Sequence, residues 1–309
     1  MLLLSGWFFV GLSLLVLGSH LLVRSLISLS YFFRVKPLYL SIIVLGFVTS
    51  SSEWFVTFIA AYREIPEAAL SNVIGSNTIN ILLILSFVSL ICPFKNRDPQ
   101  IIKFDLPCLL SFLVFVAILS YDGFLNFIDC LFLLLTFGVY LYFLFHIQKK
   151  EGAQESPSPH KDLGLMVASR DLVLGFGCLF LGSHWMIDNA IQLSLSLGWS
   201  ERFIGFLVLA LGTSLPELAV CISAALKKEV EMILGNIIGS NIFNTLFVVG
   251  SAGLLTTLPV SAALYGDYLF MFLVTLSLWI LLAVVKGIPR WSSFCFLVAY
   301  ASYIFFFHF

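Results

Sequence analysis

LSNVIGSNTINILLIL, residues 70–85, returns 164 positions later as LGNIIGSNIFNTLFVV, residues 234–249, with eight identities in sixteen places. Two shorter blocks keep the same spacing: TSSSE (49–53) with TSLPE (213–217), and GSH (18–20) with GSH (182–184). Three blocks in one register indicate that the chain is an internal duplication. Working outward from them decides the fold.

The duplicated blocks lie in a chain of 309 residues that is 60% hydrophobic and 11% charged, with mean hydropathy +1.06. A soluble domain carries about a quarter charged residues, so this composition belongs to a bilayer. Apolar runs of about 20 residues recur, each long enough to cross a membrane as a helix. They predict an all-α polytopic membrane protein with ten spans, near 5–23, 38–62, 66–91, 104–121, 124–146, 171–194, 203–226, 230–256, 266–285 and 291–308. The N-terminal MLLLSGWFFVGLSLLVLGSHLLV lacks a basic n-region and reads as the first span, not as a cleaved signal peptide. The six cysteines show no CxxC pairing and read as small apolar side chains.

KKEGAQESPSPHKDLG (149–164) is the one long hydrophilic stretch, rich in Ser, Pro, Gly and charge. It divides the chain into a first five-helix repeat (1–148, with its motif at 45–85), a cytoplasmic linker (149–168) and a second five-helix repeat (169–309, motif 209–249). Five is odd, so the second copy enters the membrane upside down. Such inverted repeats build transporters whose binding site lies near the midplane. Fourteen of the 16 Lys and Arg fall in odd-numbered loops; only Arg63 and Arg202 do not. The positive-inside rule then makes the odd loops cytoplasmic and both termini extracytoplasmic.

Of 17 acidic residues, Glu53 and Glu217 alone sit mid-span, and they are repeat partners. A carboxylate at the bilayer centre costs at least about 2.5–3.5 kcal/mol, which requires a compensating partner or a wet cavity. Thr49 and Ser50 lie four and three residues before Glu53, on one helix face, as do Thr213 and Ser214 before Glu217. On each following helix, Asn72, Ser76, Asn80 and Asn236, Ser240, Asn244 form stripes at i, i+4. Plain small-residue packing could account for serines and threonines, but not for amides and carboxylates as well. Converging stripes would make a cage of oxygens suited to hard cations such as Ca2+ or Na+. No His or Cys pair accompanies the glutamates, which disfavours a soft metal.

These residues carry a resemblance. GTSLPEL…GNIIGSNIFN (212–244), with its degenerate copy VTSSSEW…SNVIGSNTIN (48–80), resembles the α-repeats of the sodium/calcium exchanger (cation/calcium antiporter) superfamily, over essentially the whole chain. The resemblance implies a secondary antiporter in the plasma (inner) membrane that exchanges Ca2+ for Na+ by alternating access. It implies Ca2+ ligation by Glu53, Glu217, Thr49 and Thr213, the threonines through their carbonyls. It also implies sodium or shared sites at Ser50, Ser214, Ser76, Ser240, Asn80 and Asn244. The first and sixth spans resemble the pair that slides to alternate access. Ca2+ and Na+ are cargo; no enzymatic activity, resident cofactor or nucleic-acid partner is expected, membrane lipid surrounds the spans, and no oligomer is required.

The chain departs from the family pattern at Val48 and Ser52, where glycine and proline are usual. Pro216 lacks an N–H and lets the second-repeat helix open near Gly212. Ser52 keeps its N–H, which predicts a more regular first-repeat helix, bent somewhat by a Ser52 hydroxyl bonded back to the Val48 carbonyl, and weaker binding on the Glu53 side. Asn244 stands where potassium-dependent members carry Asp, so potassium dependence is not expected. Proton-driven exchange and a transport-inactive cation-binding relative are the alternatives. An intramembrane hydrolase would need a base beside Ser50 or Ser214, and neither motif supplies one. His20 and His184 are expected to be packed or hydrogen-bonded.

Overall fold

Proline opens several of the helices: Pro37 and Pro66 stand at first helical positions, where a missing N–H costs nothing. The computed structural model describes residues 2–33, 35–63, 66–95, 98–151, 164–196 and 210–307. Within them the chain forms α1 (Leu2–Phe33), α2 (Pro37–Thr49), α3 (Ser51–Tyr62), α4 (Pro66–Ile91), α5 (Ile101–Leu119) and α6 (Phe127–Glu151). It continues as α7 (Leu165–Ser196), α8 (Ala210–Thr213), α9 (Leu215–Leu226), α10 (Val230–Gly253), α11 (Ala262–Val285) and α12 (Arg290–Phe307). Seven of these are long and apolar enough to cross a membrane, or eight if the bent pair α2–α3 counts as one span. The other two expected spans correspond to α9 and α12; residues 203–209 of the seventh lie outside the described residues.

Two expectations need correcting on helix length. α1 and α7 each run 32 residues, so Arg24 and Arg170 are helical and not in loops. At 1.5 Å per residue these helices reach about 48 Å, well past a hydrocarbon core of about 30 Å. They must tilt or project beyond it.

The chain is also not wholly α. β1 (Phe94–Lys95) pairs antiparallel with β4 (Gly287–Ile288), and β2 (Phe124–Leu125) with β3 (Leu258–Pro259). Each pair ties connecting segments of the two halves; β3 lies 164 residues after β1, and β4 lies 163 after β2. β1 with β4 joins the third loop to the ninth; β2 with β3 lies at the fourth and eighth. Loops of like parity meet.

The centre of the molecule is α4 and α10, with 72% and 94% of their apolar windows buried, against 22% for α6. α2 reaches α10 because that helix offers no side chains there. A Cβ on Gly239 would lie 2.5 Å from the Ile42 carbonyl oxygen, and one on Gly235 2.8 Å from Ser41 Cβ. Two small residues one turn apart permit backbone-to-backbone approach. α1 and α7 meet in the same manner, with Gly18 against Gly175 and Gly182 against the Gly11 carbonyl. Those pairings rise along one helix as they fall along the other, so the two run antiparallel.

The helix break was expected in the second half only. Both halves break. Ser50 (φ −77°, ψ 6°) separates α2 from α3 with a 44° bend, and Ser214 (φ −90°, ψ 7°) separates α8 from α9. Both serines occupy the sparsely populated bridge region. Proline is therefore not required. In the first half, Ser51 Oγ donates to the Val48 carbonyl at 2.7 Å and Ser52 Oγ lies 3.1 Å from that of Thr49. Hydroxyls bonding back to carbonyls three residues earlier bend helices. The bond to Val48 expected of Ser52 belongs to Ser51.

Candidate functional site

Each break leaves a glutamate in the first turn of the helix that follows, Glu53 in α3 and Glu217 in α9. A helix N-terminus presents unsatisfied N–H groups and a partial positive charge, so it favours a carboxylate. Gly46 seats α2 on the backbone of Gly239 and Ser240, 2.8–3.0 Å from where a Cβ would stand. One turn on, Thr49 Oγ1 reaches Asn236 Oδ1 and Ser240 Oγ, each at 3.2 Å.

The two halves then exchange hydrogen bonds. Ser50 donates to Glu217 Oε1 at 3.3 Å, and Ser214 donates to Glu53 Oε1 at 3.3 Å. Ser240 adds a 3.5 Å contact to Glu217 Oε1, and Ser52 a 3.0 Å contact to Glu53 Oε2. Glu53 and Glu217 are both 0% exposed. Neither forms an ion pair with Lys, Arg or His among the described residues. Glu217 Oε2 is buried and has no hydrogen-bond partner among the described residues.

A second net lies where α4 and α10 cross. Asn77 and Asn241 each donate an amide N–H to the other's backbone carbonyl, at 3.3 and 3.2 Å. Their side-chain oxygens accept from Asn244 and Asn80, at 3.2 and 2.9 Å. With the amide nitrogens so engaged, Asn80 Oδ1 and Asn244 Oδ1 remain buried and unpartnered among the described residues, as does Ser76 Oγ. Both helices turn π-helical at these asparagines, over Asn80–Leu85 and Asn244–Val248. π turns are often found at functional sites.

The structure thus joins Thr49, Ser50, Glu53, Ser214, Glu217 and Ser240 in one hydrogen-bonded group, which the Thr213 carbonyl enters through Ser52 at 3.0 Å. Asn80 and Asn244 belong to the adjoining asparagine net. Asn72 and Asn236 instead tie helices together, donating to Thr57 Oγ1 at 3.0 Å and Cys221 Sγ at 3.4 Å. Thr57 and Cys221 are themselves repeat partners. His20 and His184 are exposed. Asn77 and Asn241 were missed by sequence reasoning, although both sit inside the duplicated IGSN. The signal was their identity in the two copies; the i, i+4 stripe passed over them.

Two buried carboxylates without an ion-paired cation, surrounded by hydroxyl, amide and carbonyl oxygens, form a donor set for hard cations. Positive charge, whether metal ion or proton, is what such a pair needs to persist in a dry interior.

The family model described as sodium/calcium exchanger protein matches residues 3–146 and 172–309. The chain is 33% identical to inner membrane protein YrbG of Escherichia coli, over 89% of this chain and 87% of that protein. It is 25% identical to sodium/calcium exchanger MaX1 of Methanosarcina acetivorans, over 96% and 95%. A solved structure of the sodium-calcium exchanger NCX_Mj, soaked with Na+ and Ca2+, aligns over 100% of both chains with TM-score 0.87 at 30% identity.

Proposed function

The chain belongs to the sodium/calcium exchanger family, and from that premise we propose that it extrudes Ca2+ across the plasma membrane against Na+ entry, binding both ions between two inverted five-helix repeats. The coarser activity, antiport of cations including Ca2+, comes with the family. The choice of Na+ as driver, the direction and the residues are our reading.

One observation carries it: the crossed pair Ser50 to Glu217 and Ser214 to Glu53, which brings a carboxylate from each half into one buried group. Ca2+ in this reading is held by Glu53, Glu217 and the carbonyls of Thr49 and Thr213. Ser50, Ser214, Ser76, Ser240, Asn80 and Asn244 supply oxygens to Na+ or to both ions. Two negative charges are balanced by one Ca2+ or by monovalent ions, so the two kinds of ion compete for the same groups. That competition is the basis of exchange.

The antiparallel meeting of α1 with α7, and the pairing of third with ninth and fourth with eighth connections, support ten spans in a 5+5 inverted arrangement. The proposed repeats span 1–148 and 169–309; α6 ends at Glu151 and α7 begins at Leu165, a few residues inside the linker read from the sequence. Alternating access follows if α1 and α7 slide together across the remaining helices. The charge asymmetry of the loops supports extracytoplasmic termini.

Ca2+ uptake into inverted membrane vesicles tests the reading. Uptake driven by an imposed Na+ gradient, unchanged by K+, is the expected result. Uptake driven by a proton gradient alone would replace Na+ with H+ at the same carboxylates, and Ca2+ binding with no flux under either gradient would make the chain a transport-inactive relative.

A further inference from the structure

Ser52 occupies the position that Pro216 holds in the other half, and its side chain has an unusual set of neighbours. Its Oγ lies 3.1 Å from the Thr49 carbonyl oxygen, 3.0 Å from the Thr213 carbonyl oxygen and 3.0 Å from Glu53 Oε2. All three are acceptors. A serine hydroxyl carries a single proton. With Glu53 ionised it can point straight at one of the three, and the remaining close oxygen–oxygen contacts are relieved by positive charge among the oxygens, a cation there or a proton on Glu53.

We infer that Ser52 Oγ is an additional ligand of the transported cation, an oxygen the second half cannot match because Pro216 has none. The inference rests on the reading of Glu53, Glu217 and the two threonine carbonyls as the Ca2+ site, and it adds a residue to that site. Seven or eight oxygens at about 2.3–2.6 Å from a Ca2+ stand about 3 Å from one another, which is the spacing seen around Ser52. The four oxygens also come from both halves: Thr49, Ser52 and Glu53 from the first, Thr213 from the second. Ser52 therefore bridges the two breaks through its own hydroxyl, at a place where the duplicated halves differ in donor chemistry.

The consequence reverses the expectation drawn from the missing proline. Loss of proline does not straighten the first-half helix, since the chain breaks at Ser50 regardless. What the substitution changes is the number of oxygens. The half expected to bind more weakly gains a ligand, and the site is asymmetric in its favour.

The test uses the full-length protein in proteoliposomes loaded with Na+, with initial Ca2+ uptake measured against external Ca2+. Ser52→Ala and Ser52→Pro should each raise the half-saturating Ca2+ about tenfold, because affinity in oxygen sites follows the number of ligands. Ser52→Thr, which keeps the hydroxyl, should stay within about twofold of wild type. Ser52→Cys should become sensitive to Cd2+ at concentrations at least about tenfold below those that inhibit wild type, since a thiol placed on the ion recruits a soft metal. A serine that merely steadied Glu53 would not confer that sensitivity.

Wild-type Ca2+ dependence in Ser52→Pro overturns the inference, even if Ser52→Ala fails to fold. So does a threonine variant as impaired as alanine, or a cysteine variant no more sensitive to Cd2+ than wild type. Glu217→Gln, run alongside, separates the two levels. Transport surviving that change removes the carboxylate site and this inference with it. Transport lost in Glu217→Gln but unaltered in both Ser52→Ala and Ser52→Pro removes Ser52 alone.

Discussion

Asn77 and Asn241 hold each other by reciprocal bonds, the amide of each donating to the backbone carbonyl of the other at 3.3 and 3.2 Å. They are counterparts in the duplication, so the contact lies on the line that relates the two halves. Their remaining oxygens take the N–H groups of Asn80 and Asn244, and thereby fix which atom of each amide is left over. In both it is the oxygen.

The first prediction concerns that orientation. Asn77→Ala removes the acceptor for Asn244 and one of the two reciprocal bonds, so the Asn244 amide can turn its N–H toward the ion. Groups that orient ligands cost about 10–100-fold in metal affinity when removed, and the Na+ dependence of exchange should weaken within that range. Na+-dependent Ca2+ efflux from proteoliposomes, titrated with Na+, reads the effect. Asn77→Asp keeps an acceptor for Asn244 and should retain more Na+ affinity than alanine. An alanine variant with wild-type Na+ dependence would assign the pair to packing alone.

The second concerns Glu217, whose Oε2 is buried without a partner among the described residues. Glu217→Gln removes one of the two charges while keeping the volume. Ca2+-driven exchange should fall to background. Thermal unfolding gives an independent readout. A ligand at a hundred times its dissociation constant stabilises the folded protein by about 2.7 kcal/mol, so saturating Ca2+ should raise the wild-type melting temperature and leave that of Glu217→Gln unmoved. Glu53→Gln should behave in the same way, since the two glutamates exchange equivalent bonds with Ser214 and Ser50.

The third concerns packing beneath the site. A Cβ at Gly239 would stand 2.5 Å from the Ile42 carbonyl oxygen and 2.7 Å from Ile42 Cα, both backbone atoms. Neither can swing aside as a side chain would. Gly239→Ala should cost about 1–3 kcal/mol, the usual penalty of overpacking. It should also move Thr49 away from Ser240, so Ca2+ affinity falls with stability. Melting temperatures of purified Gly239→Ala and wild type, compared directly, decide the matter.

Much of this arrangement was legible in the sequence, for identifiable reasons. Mid-span Glu53 and Glu217 stood out because carboxylates in apolar runs are costly, and the shared 164-residue spacing paired them before any coordinates. Asn77 and Asn241 were hidden because their work is done across the helix crossing, while the i, i+4 rule sees only one helix at a time. The break at Ser50 was hidden because proline is the usual sequence mark of a broken helix, whereas here Ser51 and Ser52 bend it with hydroxyls. The lengths of α1 and α7 were misjudged because charge was read as the edge of a span. Arg24 and Arg170 simply continue their helices. The two strand pairs were invisible, being two residues long and fixed by partners more than a hundred residues away.

The last prediction separates ion binding from movement. α1 and α7 touch through glycines: a Cβ at Gly18 would lie 2.7 Å from Leu179 N and 2.8 Å from the Gly175 carbonyl, and one at Gly182 2.8 Å from the Gly11 carbonyl and from Leu15 N. None of these residues is near Glu53 or Glu217 in the hydrogen-bonded group. If the two helices move as a pair, their mutual contact is kept through the cycle, and spreading them should disturb how the pair fits against the helices it crosses. Gly18→Ala and Gly182→Ala should then slow Ca2+ exchange, while stabilisation of the solubilised protein by Ca2+ stays as in wild type. The opposite pattern, with Ca2+ stabilisation lost and turnover kept at saturating Ca2+, would place these glycines in service of the site. Two equivalent glycines also permit a check by symmetry. Gly18 and Gly182 are repeat partners, so a moving pair related by the duplication should be slowed by either substitution. An effect from one helix alone would mean that only that helix moves.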